Sequence, residues 1–179
     1  QIEIKCAESG KLCIVDILTV NDEDSEKDTH VLLMEKKERA SRMFKQDMIS
    51  CALYIYNDIS ASCDTILNEN TDDLVSALKL TVDNNCSMCF LKKENYEQAL
   101  LLAEKVLKKQ PTNLKAAYRK FLCKLQKNEF RDVKEGIEEI VKNDSVSRAT
   151  FSELYAKAIG GITREKEALD KMYAKMGVL

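Results

Sequence analysis

The stretch SALKLTVDNNCSMCFLKKENYEQALLLAEKVLKKQPTNLKAAYR, residues 76–119, decides the fold. Apolar and small residues fall at Leu80, Cys86 and Phe90, then at Tyr96, Ala99, Ala103, Val106 and Leu107. They form two blocks of near-helical spacing separated by the polar run from Lys92 to Asn95. This spacing predicts a hairpin of two antiparallel helices and the opening of a third. Pro111 follows the second block by a few residues. A proline drives the residue before it out of the α region and is tolerated where a new helix begins, so one structural unit ends there.

Outward from this hairpin, the same pattern recurs. It follows the tetratricopeptide pattern, whose period is about 34 residues. With Leu80 as first residue, Phe90 takes the aromatic position, Tyr96 the turn aromatic, Ala99 and Ala103 the close-packing sites, and Pro111 the terminal proline. One period on, Leu114 opens a unit with Phe130 at the turn aromatic, Val133 and Ile137 at the close-packing sites, and Ile140 below them. In the other direction Ala52 fits the small position of a unit beginning at Leu33, with Phe44, Tyr56 and Ile59 around it. Leu33 and Leu80 are 47 residues apart, 13 more than the period. The first hairpin is therefore expected to carry an insertion, placed around residues 68–73 with lengthened flanking helices.

Composition agrees. A chain of 179 residues with 45 % hydrophobic residues, one Pro and five Gly has enough apolar residues for a core and few turn formers, which predicts an all-α fold. The formal charge is −2, from 28 basic and 30 acidic residues that are interspersed, so no field draws nucleic acid or an anionic membrane. No apolar run approaches the roughly 18 residues of a membrane span, and the amino terminus does not read as a signal peptide. The expected location is the cytoplasm. The seven cysteines, Cys6, Cys13, Cys51, Cys63, Cys86, Cys89 and Cys123, are odd in number and lie mostly at apolar helical positions, as reduced thiols acting as small hydrophobes do. Cys86 and Cys89 form a C-x-x-C, but a structural zinc needs four ligands, no second such pair exists, and the single histidine, His30, is far away in sequence. No metal or other cofactor is expected.

Residues 1–20, QIEIKCAESGKLCIVDILTV, differ from the rest. Ile2 and Ile4 alternate with Glu3 and Lys5, Glu8 to Lys11 supplies a glycine turn, and the stretch from Leu12 to Val20 is β-branched and apolar, which predicts a β-hairpin. Two strands alone are marginal in water, so this segment reads as a strand remnant of a preceding domain whose other part completes the sheet. Residues 21–28, NDEDSEKD, read as an acidic linker in which Ser25 or Asp28 caps the next helix. Residues 29–145 read as three repeats and 146–179 as a closing helix. Helices are expected over about 27–45, 48–67, 73–92, 96–109, 113–127, 130–142 and 147–176, the array forming a right-handed superhelix. In the last helix Phe151, Leu154, Tyr155, Ala158, Ile159, Ile162, Leu169, Met172, Tyr173 and Met176 share one stripe. Gly160 and Gly161 interrupt its composition but not its phase, which predicts a kink or a close approach to the preceding helix rather than a break.

With these features the chain resembles the carboxy-terminal region of the large FK506-binding immunophilins and their aryl-hydrocarbon-receptor-interacting relatives. The resemblance covers most of residues 12–176: a last strand like KLCIVDILTV, an acidic linker, three repeats with an extended first hairpin, and a closing helix ending in a motif like LDKMYAKM. It implies a co-chaperone module, a two-carboxylate clamp for the extreme carboxy terminus of a cytosolic heat-shock chaperone of the 90 class, ending Glu-Glu-Val-Asp. Carried over residue by residue, Lys37 falls at the first-repeat lysine, Asn85 at the second-repeat asparagine, and Lys115 and Arg119 at the third-repeat pair. Ser41 stands where many clamps have asparagine. Phe121 stands where glycine or alanine is usual, which implies a local repacking of the third repeat.

Other functions have less to rest on. Within these residues there is no phosphate loop, no nucleophile with a nearby histidine and no metal spacing; a prolyl isomerase activity implied by the resemblance belongs to a domain outside them. No catalytic residue is expected here. A scaffold that binds an internal peptide or helix of a partner, without reading a free carboxy terminus, is the alternative to the clamp. A third reading is that Lys166, Lys171 and Lys175 with Leu169, Met172 and Met176 form a basic amphipathic segment that attracts calmodulin. The preferred reading of that segment is a cap or a solvated helical extension.

Overall fold

Three residues with left-handed backbone mark the folding plan. Asp47, Glu94 and Asn128 have φ of 59°, 57° and 61°, at intervals of 47 and 34 residues. Each lies in the turn of a helical hairpin, and the hydrogen bonds around it repeat. At Glu94 the Lys93 amide donates to the Cys89 carbonyl, Glu94 to Leu91 and Asn95 to Phe90. At Asn128 the donations run Lys127 to Cys123, Asn128 to Leu125 and Glu129 to Lys124, and at Asp47 they run Gln46 to Arg42, Asp47 to Phe44 and Met48 to Met43. This is the six-to-one closure of a helix end by an αL residue. The computed structural model describes residues 2–5, 12–15, 29–69, 71–144 and 147–176.

Two short strands, β1 (Ile2–Lys5) and β2 (Leu12–Val15), pair antiparallel with Ile2 opposite Val15 and Lys5 opposite Leu12. The glycine turn between them and the acidic linker after them, with the caps expected at Ser25 and Asp28, lie outside the described residues. The helices are α1 (Thr29–Lys45), α2 (Ile49–Glu69), α3 (Asp73–Lys92), α4 (Tyr96–Lys109), α5 (Leu114–Gln126), α6 (Phe130–Asn143) and α7 (Arg148–Lys175). Their ends agree with the sequence expectation to within two residues. The fold is all-α, with three tetratricopeptide-type hairpins and a long closing helix. The chain divides into two units, Gln1–Pro111 and Thr112–Leu179.

In the first unit, the 13-residue excess is taken up as helix. The helices flanking the insertion, α2 and α3, are 21 and 20 residues long, whereas α4 has 14. The loop between them is short because Asp72 starts α3 at once: its side chain accepts the Leu74 and Val75 amides at 2.9 and 3.0 Å. The Val75 amide foremost, with His30 Nε2 2.9 Å from the same carboxylate, holds Asp72 below the usual carboxylate range against the opposing effect of desolvation. The core is built from the residues the period selects. Leu33, Ala52, Tyr56 and Ile59 are buried, and Ala99, Ala103 and Val106 of α4 have no exposed surface. Alanine at a crossing removes bulk and permits the closer helix separations within the usual 8–10 Å. Cys63, Cys86 and Cys89 are buried free thiols in the same core, and burial pushes the Cys86 thiol up to about 12. A thiol held neutral in this way packs as a small hydrophobe and is a poor nucleophile or metal ligand.

In the second unit, α5, α6 and α7 surround Val133, Ile137, Phe151, Leu154 and Ala158. The repacking implied by Phe121 is visible and has a partner. The Phe121 ring packs against Gly136 so closely that a Cβ there would lie 2.7 Å from its Cε1, and it meets Phe151 edge-on at 5.7 Å between centroids. The large residue is on α5 and the small one on α6, so volume across the crossing is conserved. The glycine pair of α7 makes the predicted close approach: the helix runs unbroken through Gly160 and Gly161, and Phe130 of α6 sits against Gly161. The stripe beyond it does not continue the core. Leu169, Met172, Tyr173 and Met176 are 45, 46, 38 and 65 % exposed. The cap therefore ends at Gly161, and the rest of α7 is a solvated extension, the second of the two forms expected for it.

The αL turn yields a stability prediction. A residue with a Cβ costs roughly 1–2 kcal/mol in this conformation, least for Asn and Asp. Glu94→Gly is therefore expected to raise the melting temperature, and Asn128→Gly to raise it less or leave it unchanged. Equal destabilisation by both would show that the turns are held by side-chain contacts instead.

Candidate peptide-binding site

The five residues selected by the repeat register fall in both units. Lys37 and Ser41 lie one turn apart on α1, and Asn85 lies in the second half of α3; all three are half-buried. Lys115 and Arg119 lie one turn apart at the start of α5, Lys115 exposed and Arg119 half-buried.

In the first unit Ser41 meets a residue of α2 that the sequence reads as packing. Tyr56 of α2 is 2 % exposed. Its hydroxyl is 2.9 Å from Ser41 Oγ. Ser41 Oγ donates its one proton to the Lys37 carbonyl at 2.9 Å, so the Tyr56 hydroxyl donates to Ser41. Burial pushes the Tyr56 phenol above its ordinary value. Ser41 is thus already engaged on both sides. A hydroxyl one turn after Lys37 reaches back to the helix backbone, as serine in a helix commonly does.

The Lys37 ammonium makes no ion pair among the described residues, in contrast to its neighbour Lys36, which holds Asp58 at 2.8 Å. Lys115 likewise makes none among the described residues. It occupies the first turn of α5, which Asn113 opens by accepting the Ala116 amide at 3.1 Å and which contains no acidic residue. Positive side chain and positive helix end coincide there, an arrangement that favours an external anion.

Other polar clusters are internally satisfied. Lys79 Nζ donates to Asp64 at 2.7 Å and to Ser60 Oγ at 2.9 Å, Ser60 donates to Asp83 at 3.0 Å, and Lys105 lies 3.0 Å from the other Asp83 oxygen. That second contact is an ion pair without hydrogen-bond alignment. Asp83 is 2 % exposed, and each buried charge has an opposite partner, as burial demands. The network is structural, tying α2, α3 and α4 together. In the second unit a cleft of about 560 Å³ is lined by Ile137, Glu138, Val141, Lys142, Arg148, Phe151, Ser152 and Tyr155, and includes neither Lys115 nor Arg119. Among the described residues no set of three or more His, Cys, Asp or Glu side chains is gathered as a metal site, and no helix is long and apolar enough to cross a membrane.

Comparison with known proteins gives the relationship. No protein-family model matches the chain. It is 24 % identical over 145 residues to FK506-binding protein 59 of Drosophila melanogaster, covering 78 % of this chain and 32 % of that protein. It is 27 % identical over 101 residues to FK506-binding protein 5 of Rhizopus delemar, covering 55 % of this chain and 26 % of that protein. The chain thus spans about a third or less of these relatives' length. Among solved structures, the C-terminal TPR-containing domain of a Plasmodium falciparum FK506-binding protein superposes with a TM-score of 0.61 at 20 % identity, covering 75 % of this chain and 91 % of that domain. The chain is a tetratricopeptide-type helical domain. Its sequence relatives are FK506-binding proteins.

Proposed function

We propose that this chain is the protein-interaction part of an FK506-binding, peptidyl-prolyl isomerase-like co-chaperone, and that it binds the free carboxy-terminal Glu-Glu-Val-Asp tail of a cytosolic heat-shock chaperone of the 90 class. Lys37 and Asn85 hold the terminal carboxylates from the first unit, and Lys115 and Arg119 recognise the tail from the second. Isomerase chemistry, if the full-length protein has it, belongs to a domain outside these residues, and the cytoplasm is where such a tail is met. The observation that carries this reading is the lysine–arginine pair one turn apart at the start of α5, in a first turn without a carboxylate. A tail ending in aspartate brings two carboxylates together, and charge-assisted hydrogen bonds contribute about 1.5–3 kcal/mol each. A few such bonds are enough for micromolar affinity, about 8 kcal/mol.

Titration with a peptide ending in free Glu-Glu-Val-Asp, repeated with the amidated peptide, tests the reading. Binding near micromolar that is lost on amidation is expected. Equal binding of both peptides would replace the clamp with a scaffold that grips an internal segment of its partner. Calmodulin binding to the exposed basic end of α7 is not part of the proposal.

A further inference from the structure

The cleft between α6 and α7 has an apolar floor and an excess of positive charge. Ile137, Val141 and Phe151 form the floor, the first and last of them buried. Three charged side chains line it, and the one negative group among them, Glu138, is already engaged. Lys134 Nζ lies 3.0 Å from its Oε1 and 3.1 Å from its Oε2, and Tyr155 donates to Oε1 at 2.7 Å. Lys142, in the last turn of α6, and Arg148, at the start of α7, make no ion pair among the described residues. Two cations are thus left beside an apolar surface. The hydroxyls complete the pattern. Tyr155 has given its one proton to Glu138, and Ser152 gives its own to the Ala149 carbonyl at 2.9 Å, so both oxygens are left as acceptors. A matching occupant carries an apolar group, at least one carboxylate and an N–H. A peptide with an aliphatic residue next to acidic ones has all three. A fatty acid lacks the N–H and also fits the shape less well, because small-molecule sites enclose roughly 70–90 % of their ligand, whereas this cleft is half open to solvent.

We propose that the α6–α7 cleft is a second peptide site, which takes an aliphatic side chain of a partner protein flanked by acidic residues. The aliphatic group rests on the floor, the flanking carboxylates pair with Lys142 and Arg148, and the peptide backbone offers an N–H to Ser152 or Tyr155. The carboxylates are those of side chains, so no free carboxy terminus is needed. Neither Lys115 nor Arg119 lines the cleft, and the proposal stands whether or not the tail-binding reading holds.

The test is an amide-shift titration of the full chain by nuclear magnetic resonance, with peptides blocked at both ends: Asp-Glu-Leu-Asp-Glu-Leu, its serine counterpart Asp-Glu-Ser-Asp-Glu-Ser and its basic counterpart Lys-Lys-Leu-Lys-Lys-Leu. One buried side chain and two exposed ion pairs supply an affinity of about millimolar. Only the acidic leucine peptide is expected to move signals of α6 and α7 around the cleft. In the double variant Lys142→Glu, Arg148→Glu its affinity falls about tenfold; both side chains are exposed, so the fold is retained. In Arg119→Ala its binding is unchanged. Shifts centred on α5, or lost in Arg119→Ala, place the peptide in the tail site and overturn the proposal. Equal shifts from the serine or the basic peptide, or no cleft shifts at all, overturn it as well. Dodecanoate is titrated in parallel, and cleft shifts with it but not with the acidic leucine peptide make this a small-molecule site instead.

Discussion

Gly161→Ala is expected to destabilise the chain by about 1–3 kcal/mol, while Gly160→Ala, one position earlier, stabilises it by up to about 1 kcal/mol. The two glycines lie in the same unbroken helix, and neither has the left-handed backbone that would require glycine. Helix propensity alone therefore predicts the same gain for both. Their surroundings differ. A Cβ at Gly160 would find only the Arg164 guanidinium, 3.5 Å away at the end of a flexible side chain. A Cβ at Gly161 would lie 2.4 Å from two ring atoms of Phe130 and 2.6 Å from a third. This is deep inside van der Waals contact with a stiff ring whose backbone begins α6. Either the ring leaves its seat or α6 and α7 separate, and both options lose packing around Phe151, Leu154 and Ala158. Chemical denaturation of the two variants measures the signs directly. Two stabilised proteins would show that Phe130 yields to the added methyl group and that α6 and α7 do not meet tightly at Gly161.

That contrast illustrates what the sequence carries and what it does not. The hairpins were legible because the small residues Ala52, Ala99 and Ala103 recur with a fixed phase, and Pro111 punctuates the array. The excess of 13 residues was legible as a number, but its conversion into extra turns of α2 and α3 depended on Asp72 capping so soon after α2 ends. A close approach at Gly160 and Gly161 was legible from composition, whereas the choice of Gly161 and of Phe130 as its partner is a property of how two helices cross. In α7 the apolar stripe is in phase through Met176, yet phase states only which residues share a face and not whether anything covers it; the face is covered as far as Gly161. The candidate site divides in the same way. Lys37, Asn85, Lys115 and Arg119 were selected by register alone. A tyrosine at a core position reads as packing, and the Tyr56 hydroxyl becomes informative only when Ser41 is seen beside it.

Arg119→Ala is expected to weaken binding of the free-ended chaperone tail by roughly thirtyfold, about 2 kcal/mol, because it leaves a ligand carboxylate without its charge-assisted partner. Lys115→Ala acts in the same direction and by less, since Lys115 is exposed and an exposed charge is screened by water and salt. Ser41→Ala has a smaller effect than either, because its hydroxyl is neutral and already bonded to the Lys37 carbonyl and Tyr56. None of this should come from unfolding: substitutions at solvated positions usually change stability by no more than about 0.5 kcal/mol, so the melting temperatures of the Lys115 and Arg119 variants should stay close to that of the unsubstituted chain. The most direct measurement is a calorimetric isotherm with the free-ended Glu-Glu-Val-Asp peptide on the unsubstituted chain, Lys115→Ala and Arg119→Ala. Micromolar binding that falls roughly thirtyfold in Arg119→Ala is the predicted result, and equal binding by all three proteins would contradict the assignment of the tail site.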